Sequence, residues 1–156
     1  MTLFSEQAKS DVERAVSLVE ETIRKLGIDP GASRSEKEGH VAFALRRGSA
    51  RILIAVHAPR GELVEGRIRV VSPCVVLPSK DAEAPILRFL LEANASELVG
   101  AAFAVSGDEV VVVAERTVKD LDLSEVDTMI RNVGRVADRY DDELSTKFSL
   151  KRSSDA

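Results

Sequence analysis

The fold of this chain is set by residues 85–113, which read PILRFLLEANASELVGAAFAVSGDEVVVV. The apolar run at the start of this stretch predicts a helix over residues 81–94. Two strands are predicted over residues 98–105 and 109–116, and the glycine-containing turn between them is typical of a β-hairpin. The stretch therefore predicts a helix that is followed directly by an antiparallel pair of strands.

The predicted helix is apolar over roughly 200° of its circumference, twice the arc of about 100° that a helix needs to lie on one sheet. We therefore expect it to contact two surfaces. Either it is buried between the sheet and the flanking helices of the same chain, or its outer side forms a subunit interface. The apolar positions are Ile86, Leu87, Phe89, Leu90, Leu91 and Ala93.

Four consecutive valines in the second of these strands point to the same question. A run of this kind cannot alternate between core and solvent, so both faces of the strand are expected to be covered. The cover is either a helix of the same chain or a second copy of it. Because two-fold dimers are the commonest closed assemblies, we predict a homodimer. Its interface is expected to include Leu87, Leu90, Leu91, Val111 and Val113.

The first half of the chain predicts a helix and an antiparallel meander. Apolar residues at three- and four-residue spacing indicate a one-sided helix over residues 5–26. Residues 32–39 are polar and have no period, which indicates a loop or a frayed strand edge. Pro73 predicts a bulge or an edge position, because proline donates no ladder hydrogen bond. Alternating apolar residues predict strands over residues 40–47, 51–57 and about 64–77.

A long one-sided helix is predicted over residues 124–148, with Ser124 as its cap and an acid three residues on. The tail, residues 149–156, is predicted to be disordered. The resulting order, α-β-β-β-α-β-β-α, predicts an α+β fold with an antiparallel sheet and helices packed mainly on one side. A single domain over residues 1–148 fits the length.

Composition favours a cytoplasmic globular protein. The single cysteine, Cys74, fits a reducing compartment. No segment has the pattern of a signal peptide, and none approaches the ~20 apolar residues of a membrane span. The net charge of −4 has the wrong sign for nonspecific binding to nucleic acid. We therefore expect neither a nucleic-acid partner nor a membrane partner.

The first three strands combine arginines with small apolar residues on their presumed outer face. Such a face fits an extended peptide or an acidic partner, because a guanidinium group makes forked contacts to carboxylates. The alternative is a solvated face whose arginines pair with acids such as Glu62 and Glu65. The candidate partner-binding face consists of Ala42, Ala44, Arg46, Arg51, Leu53, Ala55, Arg67 and Arg69.

Two histidines, His40 and His57, lie on the same predicted sheet face and permit a second hypothesis, a small ligand-binding domain or an enzyme. Neither histidine has a cysteine or carboxylate at metal-ligand spacing. The sequence also lacks a glycine-rich phosphate loop and a nucleophile elbow. We therefore predict no catalytic residue, no metal site and no cofactor.

A set of spaced residues in the second half carries a family resemblance. They are Leu87-x-x-Leu90-Leu91-x-x-Asn94, Gly100-x-x-Phe103, Asp108 with the valine strand, Leu123-Ser124, and Ala137-Asp138-x-Tyr140. This pattern resembles the YbjN-like family, which shares its fold with the class I type III secretion chaperones. The motif covers about residues 86–144, and the order of elements matches over the whole chain.

The resemblance implies a non-enzymatic, protein-binding domain that is commonly dimeric. Secretion chaperones dimerise through the corresponding helix and the neighbouring strands, and they hold an extended segment of an effector on apolar patches. YbjN-like proteins are described as sensory-transduction regulators. We therefore expect a homodimeric protein-interaction module, chaperone-like or regulatory, whose partner is a protein or peptide.

Overall fold

The structure is a computed structural model that describes residues 3–155, with side chains from Ser5 onward. Within these residues, no helix combines the length and the apolar character that a membrane crossing requires. The helices are α1 (Leu3–Lys25), α2 (Pro30–Ser33), α3 (Ala84–Ser96) and α4 (Leu123–Phe148). The strands are β1 (Arg34–Lys37), β2 (His40–Arg47), β3 (Ala50–His57), β4 (Arg67–Val76), β5 (Ala102–Ser106) and β6 (Glu109–Thr117).

Six strands form one antiparallel sheet in the order β1-β2-β3-β4-β6-β5. The predicted α+β fold with an antiparallel sheet is confirmed. By its internal contacts the chain divides into two compact units, and the single domain over residues 1–148 stays a prediction. The first unit comprises Met1–Leu45, Leu53–Val70 and Glu115–Ile130, and the second comprises Arg46–Ile52, Val71–Ala114 and Arg131–Ala156.

The core of the first unit combines a helical stripe with the inward positions of three strands. Ala15, Val19 and Ile23 recur at helical spacing along α1 and are at most 1% exposed. Side chains at every second position of the strands are buried, as the period of a half-covered strand requires. The buried strand residues of this unit are Phe43, Leu45, Ile54, Val56, Ile68 and Val70.

The core of the second unit gathers around a buried tyrosine. The ring of Tyr140 packs edge-on against Phe103, with 4.9 Å between the ring centroids, and its hydroxyl donates a hydrogen bond of 2.8 Å to Glu97. Burial, together with the carboxylate of Glu97, raises the pKa of Tyr140 to about 12. The tyrosine therefore stays protonated and acts as a hydrogen-bond donor throughout the physiological range.

Asn94 ties α3 to the edge strand of the sheet. Its Oδ1 accepts a hydrogen bond of 2.7 Å from the backbone N–H of Phe103, and its Nδ2 donates one of 3.2 Å to the carbonyl of the same residue. The amide thus takes the place that a further strand would occupy. The sequence predicts that α3 ends at Asn94, but the helix continues to Ser96.

Two short elements lie where the sequence predicts a loop or a frayed strand edge. Asp29 caps α2 by accepting a hydrogen bond of 3.0 Å from Gly31 N. The next residues form β1, which pairs antiparallel with β2 at the edge of the sheet. All four residues of β1 are exposed, so no apolar alternation reveals the strand.

The environment of Pro73 corrects one of two alternatives. The predicted edge position is wrong, because β4 lies between β3 and β6. Cys74 and Val75 are both buried, so the inward and outward alternation breaks directly after the proline, as at a bulge. Beyond this point Val76 N donates a hydrogen bond of 2.8 Å to the carbonyl of Lys151.

The end of the chain runs beside β4, which differs from the disorder predicted for residues 149–156. Leu150 is buried, and its carbonyl accepts a hydrogen bond of 2.7 Å from Ser145 Oγ. Arg152 bridges to Val75 through the backbone and pairs with the carboxylate of Asp142. These partners are distant in sequence, so no local pattern indicates them. Ala156 lies outside the described residues.

The N-terminus of α4 is closed by a capping box two residues earlier than predicted. Asp122 accepts a hydrogen bond of 2.9 Å from Glu125 N, and Glu125 accepts one of 3.0 Å from Asp122 N. These hydrogen bonds lower the pKa of Asp122. Ser124 lies inside the first turn and donates to Asp122 instead of capping the helix.

Candidate protein-binding surfaces

The open face of the sheet in the first unit carries the predicted small residues. Leu53 is 39% exposed and Ala44 is exposed, whereas Ala42 and Ala55 are half-buried. They alternate along β2 and β3 with the buried core residues, so they lie on the opposite face. The structure therefore places these four residues on the side of the sheet that the sequence indicates. Their role in binding a partner stays a prediction.

Two arginines of this face, Arg67 and Arg69, share one carboxylate. Arg69 Nη1 lies 2.5 Å from one oxygen of Glu115, and Arg67 Nε lies 3.1 Å from the other. The sequence offers Glu62 and Glu65 as pairing acids. The acid that the two arginines contact comes instead from β6, which no local pattern reveals. Pairing of this kind partly neutralises the arginine-rich face.

The remaining arginines of the predicted face, Arg46 and Arg51, belong to the second unit and are exposed. Arg46 lies near the end of β2 and Arg51 near the start of β3. Arginine side chains at exposed positions of this kind remain available to acidic groups of a partner.

The two histidines lie side by side on the first unit. The ring centroids of His40 and His57 are 5.3 Å apart. Burial lowers the pKa of His57, and the nearby positive charge of Arg67 lowers it further. Among the described residues, no group of three or more His, Cys, Asp or Glu side chains could hold a metal ion.

The only cysteine of the chain is not a reactive thiol. Cys74 is 1% exposed, and its Sγ lies 3.7 Å from the carbonyl of Ala137. Burial, with a smaller contribution from Asp141, raises the pKa of the Cys74 thiol to about 12. Because the thiolate is the nucleophilic form, this cysteine packs as a small apolar side chain.

The wide apolar arc of α3 is partly covered within the second unit and partly exposed. Leu90 is 3% exposed, whereas Leu91 is 66% exposed and Leu87 is half-buried. Phe89 packs edge-on against Phe148, with 5.6 Å between the ring centroids. The helix therefore has both an inner contact and an uncovered apolar side, as its composition predicts.

The valine strand shows the same division. Val111 is 3% exposed and Val113 is half-buried, so the chain itself covers most of this predicted interface. Two further valines of the second unit, Val99 and Val105, are 84% and 50% exposed. Sequence reasoning missed both, although Val99 interrupts an otherwise polar connection after α3. An exposed apolar residue in such a connection is a detectable signal.

A groove along α1 in the first unit was also missed. It has a volume of about 680 Å³, and its apolar floor includes Val12 and Val16 of α1 together with Val41. Leu63 and Val64 line its rim and are 53% and 79% exposed. The sequence assigns Val64 to the start of a strand, but β4 begins only at Arg67.

The fold is similar to those of several solved chaperone complexes. One is the ExsC–ExsE complex, with 18% identity, a TM-score of 0.58, and coverage of 91% of this chain and 96% of that chain. Another is the type III secretion chaperone SycH of Yersinia pestis in complex with a stable fragment of YscM2, with 18% identity, a TM-score of 0.52, and coverage of 79% and 96%. A third is the HopA1–SchA chaperone–effector complex, with 10% identity, a TM-score of 0.55, and coverage of 86% and 97%.

These likenesses define the class of fold, a chaperone-like protein-binding fold. A family model with the description "Putative bacterial sensory transduction regulator" matches residues 15–146. The chain therefore belongs to the bacterial YbjN family, as the sequence motif indicates. A comparison with curated proteins finds no match.

Proposed function

We propose that this protein is a non-enzymatic, homodimeric protein-interaction module, chaperone-like or regulatory. The observation that carries the proposal is the uncovered apolar side of α3 and β5. Leu91, Val99 and Val105 are each at least half exposed, although all three are the kind of residue that folding normally hides. The proposal retains the cytoplasm as the compartment, because Cys74 is a buried free thiol.

The proposed dimer would cover this apolar side. The interface residues predicted from sequence divide accordingly. Leu91 would contact the partner subunit directly, with Leu87 and Val113 beside it, whereas Leu90 and Val111 would support the surface from the core. Substitution of Leu90 is a poor test, because a charge at a position that is 3% exposed disrupts the monomer as well.

A sharper test replaces an exposed leucine. Leu91→Asp is expected to shift the protein from dimer to monomer in light scattering, because a carboxylate would be buried without a partner at the interface. Leu63→Asp is the matched control, since Leu63 is 53% exposed on the first unit. Arg88→Ala is a second control on the solvent side of α3, where Arg88 pairs with Glu92. An unchanged dimer in Leu91→Asp contradicts the proposed interface.

The proposed surface for a protein partner is the open face of the first unit. Partner proteins are present in the complexes of similar fold, and this face offers alanines and Leu53 beside arginines. An extended segment could place alternate side chains on the small residues and leave its backbone at the sheet surface. The class of partner is therefore a peptide-like segment with apolar and acidic side chains.

Capture from the native cell tests this surface. Tagged wild-type protein, Leu53→Ser and Leu26→Ser are compared by quantitative mass spectrometry. The two leucines are exposed to nearly the same extent, 39% and 41%, so the variants are matched in chemistry. We expect at least one protein to be captured by wild type and by Leu26→Ser but lost from Leu53→Ser. Identical sets from all three baits contradict the assignment of this face.

A further inference from the structure

A polar pocket on the first unit has a composition that the proposed function does not explain. It has a volume of about 580 Å³, and its lining combines two imidazoles and two guanidinium groups with a single carboxylate. Its charged and titratable lining residues are Glu38, His40, His57, Arg60 and Arg67. The lining is therefore net positive even when both histidines are neutral.

The surroundings of the pocket do not cancel this charge. Glu115 is the acid nearest to the arginines, and it is shared between Arg67 and Arg69. Arg67 Nε pairs with this carboxylate at 3.1 Å without the alignment of a hydrogen bond. One carboxylate between two guanidinium groups leaves donor capacity on both of them. An anionic group that enters the pocket would therefore find free donors.

The histidines add a dependence on pH. The groups that act on His57 are Arg67 and Arg69 of β4, His40 of β2 and Glu115 of β6. Burial and the three basic neighbours lower the pKa of His57, and only Glu115 opposes them. An anion beside the ring would reverse the balance and favour the imidazolium form, so binding would take up a proton.

We propose that this pocket holds a carboxylate side chain of the partner's extended segment, and that this contact strengthens as the pH falls. The inference rests on the proposed function, because the segment lies on the same open face. Ala42 and Ala55 are each two residues from a pocket histidine along β2 and β3, so they lie on the same face as the imidazoles. Apolar side chains of the segment would contact them.

The test uses three labelled peptides with serine at even positions and leucine at most odd positions. The central odd position carries glutamate, glutamine or lysine. Affinities are measured by fluorescence anisotropy at about pH 5.5 and about pH 7.5. The glutamate peptide is expected to bind more tightly than the glutamine peptide, and the lysine peptide more weakly. The advantage of glutamate is expected to grow about fivefold at the lower pH, the scale of one charge-assisted hydrogen bond.

Variants assign the effect to the pocket. His57→Gln is expected to remove most of the pH dependence while retaining binding of the glutamine peptide. Arg67→Gln is expected to reduce the preference for glutamate at both pH values. Arg14→Gln, an exposed position on α1 outside the pocket, removes the same charge and is expected to have no effect. The chain contains only two histidines, so their imidazole NMR signals report on the pocket directly.

The outcomes separate this inference from the proposed function. Equal affinities for the glutamate and glutamine peptides overturn the carboxylate pocket and leave the binding face intact. An unchanged pH dependence in a His40→Gln/His57→Gln double variant also overturns it. Failure of all three peptides to bind, with unchanged imidazole signals, contradicts both the pocket and the binding face.

Discussion

At the scale of single residues, one carboxylate is held in an unfavourable place. Asp141 is 8% exposed, and its oxygen accepts a hydrogen bond of 3.2 Å from Ser49. Burial raises the pKa of Asp141, and the neighbouring carboxylate of Asp142 adds to the effect. Hydrogen bonds and the charge of Arg152 act in the opposite direction but do not cancel it. The folded state therefore binds a proton at this residue more readily than the unfolded state does.

This shift has a defined sign for stability. Because the pKa is higher in the folded state, the ionised residue weakens folding at neutral pH, and the penalty disappears as the pH falls below the ordinary aspartate range. Asp141→Asn keeps an oxygen for Ser49 and removes the charge. We expect it to raise the Tm at pH 7 by a few degrees, on the order of 1 kcal/mol for a chain of this length.

The control is Asp108→Asn, which removes a charge from an exposed turn. Thermal unfolding is followed by circular dichroism between about pH 3 and about pH 8. The gain from Asp141→Asn should shrink toward the acidic end, whereas the control should show little gain at any pH. A constant gain across the whole range, or an equal gain in both variants, contradicts the account.

At the scale of elements, helices and strands with strong periodicity could be predicted from the sequence. The stripe of α1 and the alternation of β2 and β3 follow directly from burial on one side. The short strand β1 could not be predicted with certainty, because none of its residues is buried. The capping box of α4 was displaced by two residues, since Asp122 and Ser124 are both chemically suitable caps.

The contact of Asn94 with β5 is another feature that spacing alone could not reveal. The sequence shows an asparagine near a helix end, which is typical of a C-terminal cap. In the fold its amide satisfies both backbone groups of Phe103. Because β5 is an edge strand, these backbone groups would otherwise face an unpaired edge. The asparagine in the family motif therefore has a structural role.

Asn94→Ala is expected to destabilise the protein by about 1–3 kcal/mol, because it removes two hydrogen bonds from a half-buried site. Asn94→Asp keeps the acceptor for Phe103 N but loses the donor, so its effect should be smaller. Urea unfolding measures the free energies, and hydrogen exchange reports on the amide of Phe103. Ser96→Ala, at an exposed position at the end of α3, is the control. Unchanged exchange at Phe103 in Asn94→Ala would show that the amide does not hold the strand.

At the scale of the whole molecule, the family and the fold could be predicted, whereas the surfaces could be predicted only in part. The motif that identifies the family consists largely of residues that build the core, such as Leu90, Phe103 and Tyr140. Such residues determine a fold without naming a partner. Surface features depend on contacts between distant segments. The pairing of Glu115 with two arginines is one example, and the exposure of Val99 is another.

The proposed dimer is the central claim, because it accounts for an apolar arc on α3 that exceeds the needs of one chain. Leu91, Val99 and Val105 remain exposed after folding, and a second copy of the chain can cover them by two-fold symmetry. The interface of such a dimer would be apolar at its centre, as stable homodimer interfaces are.

Sedimentation equilibrium of the wild-type protein at tens of micromolar tests this claim most directly. The chain has a mass of 16.9 kDa. The account predicts a single species of twice that mass for wild type and for Leu63→Asp, and a folded monomer for Leu91→Asp. A wild-type protein that sediments at the mass of one chain would contradict it.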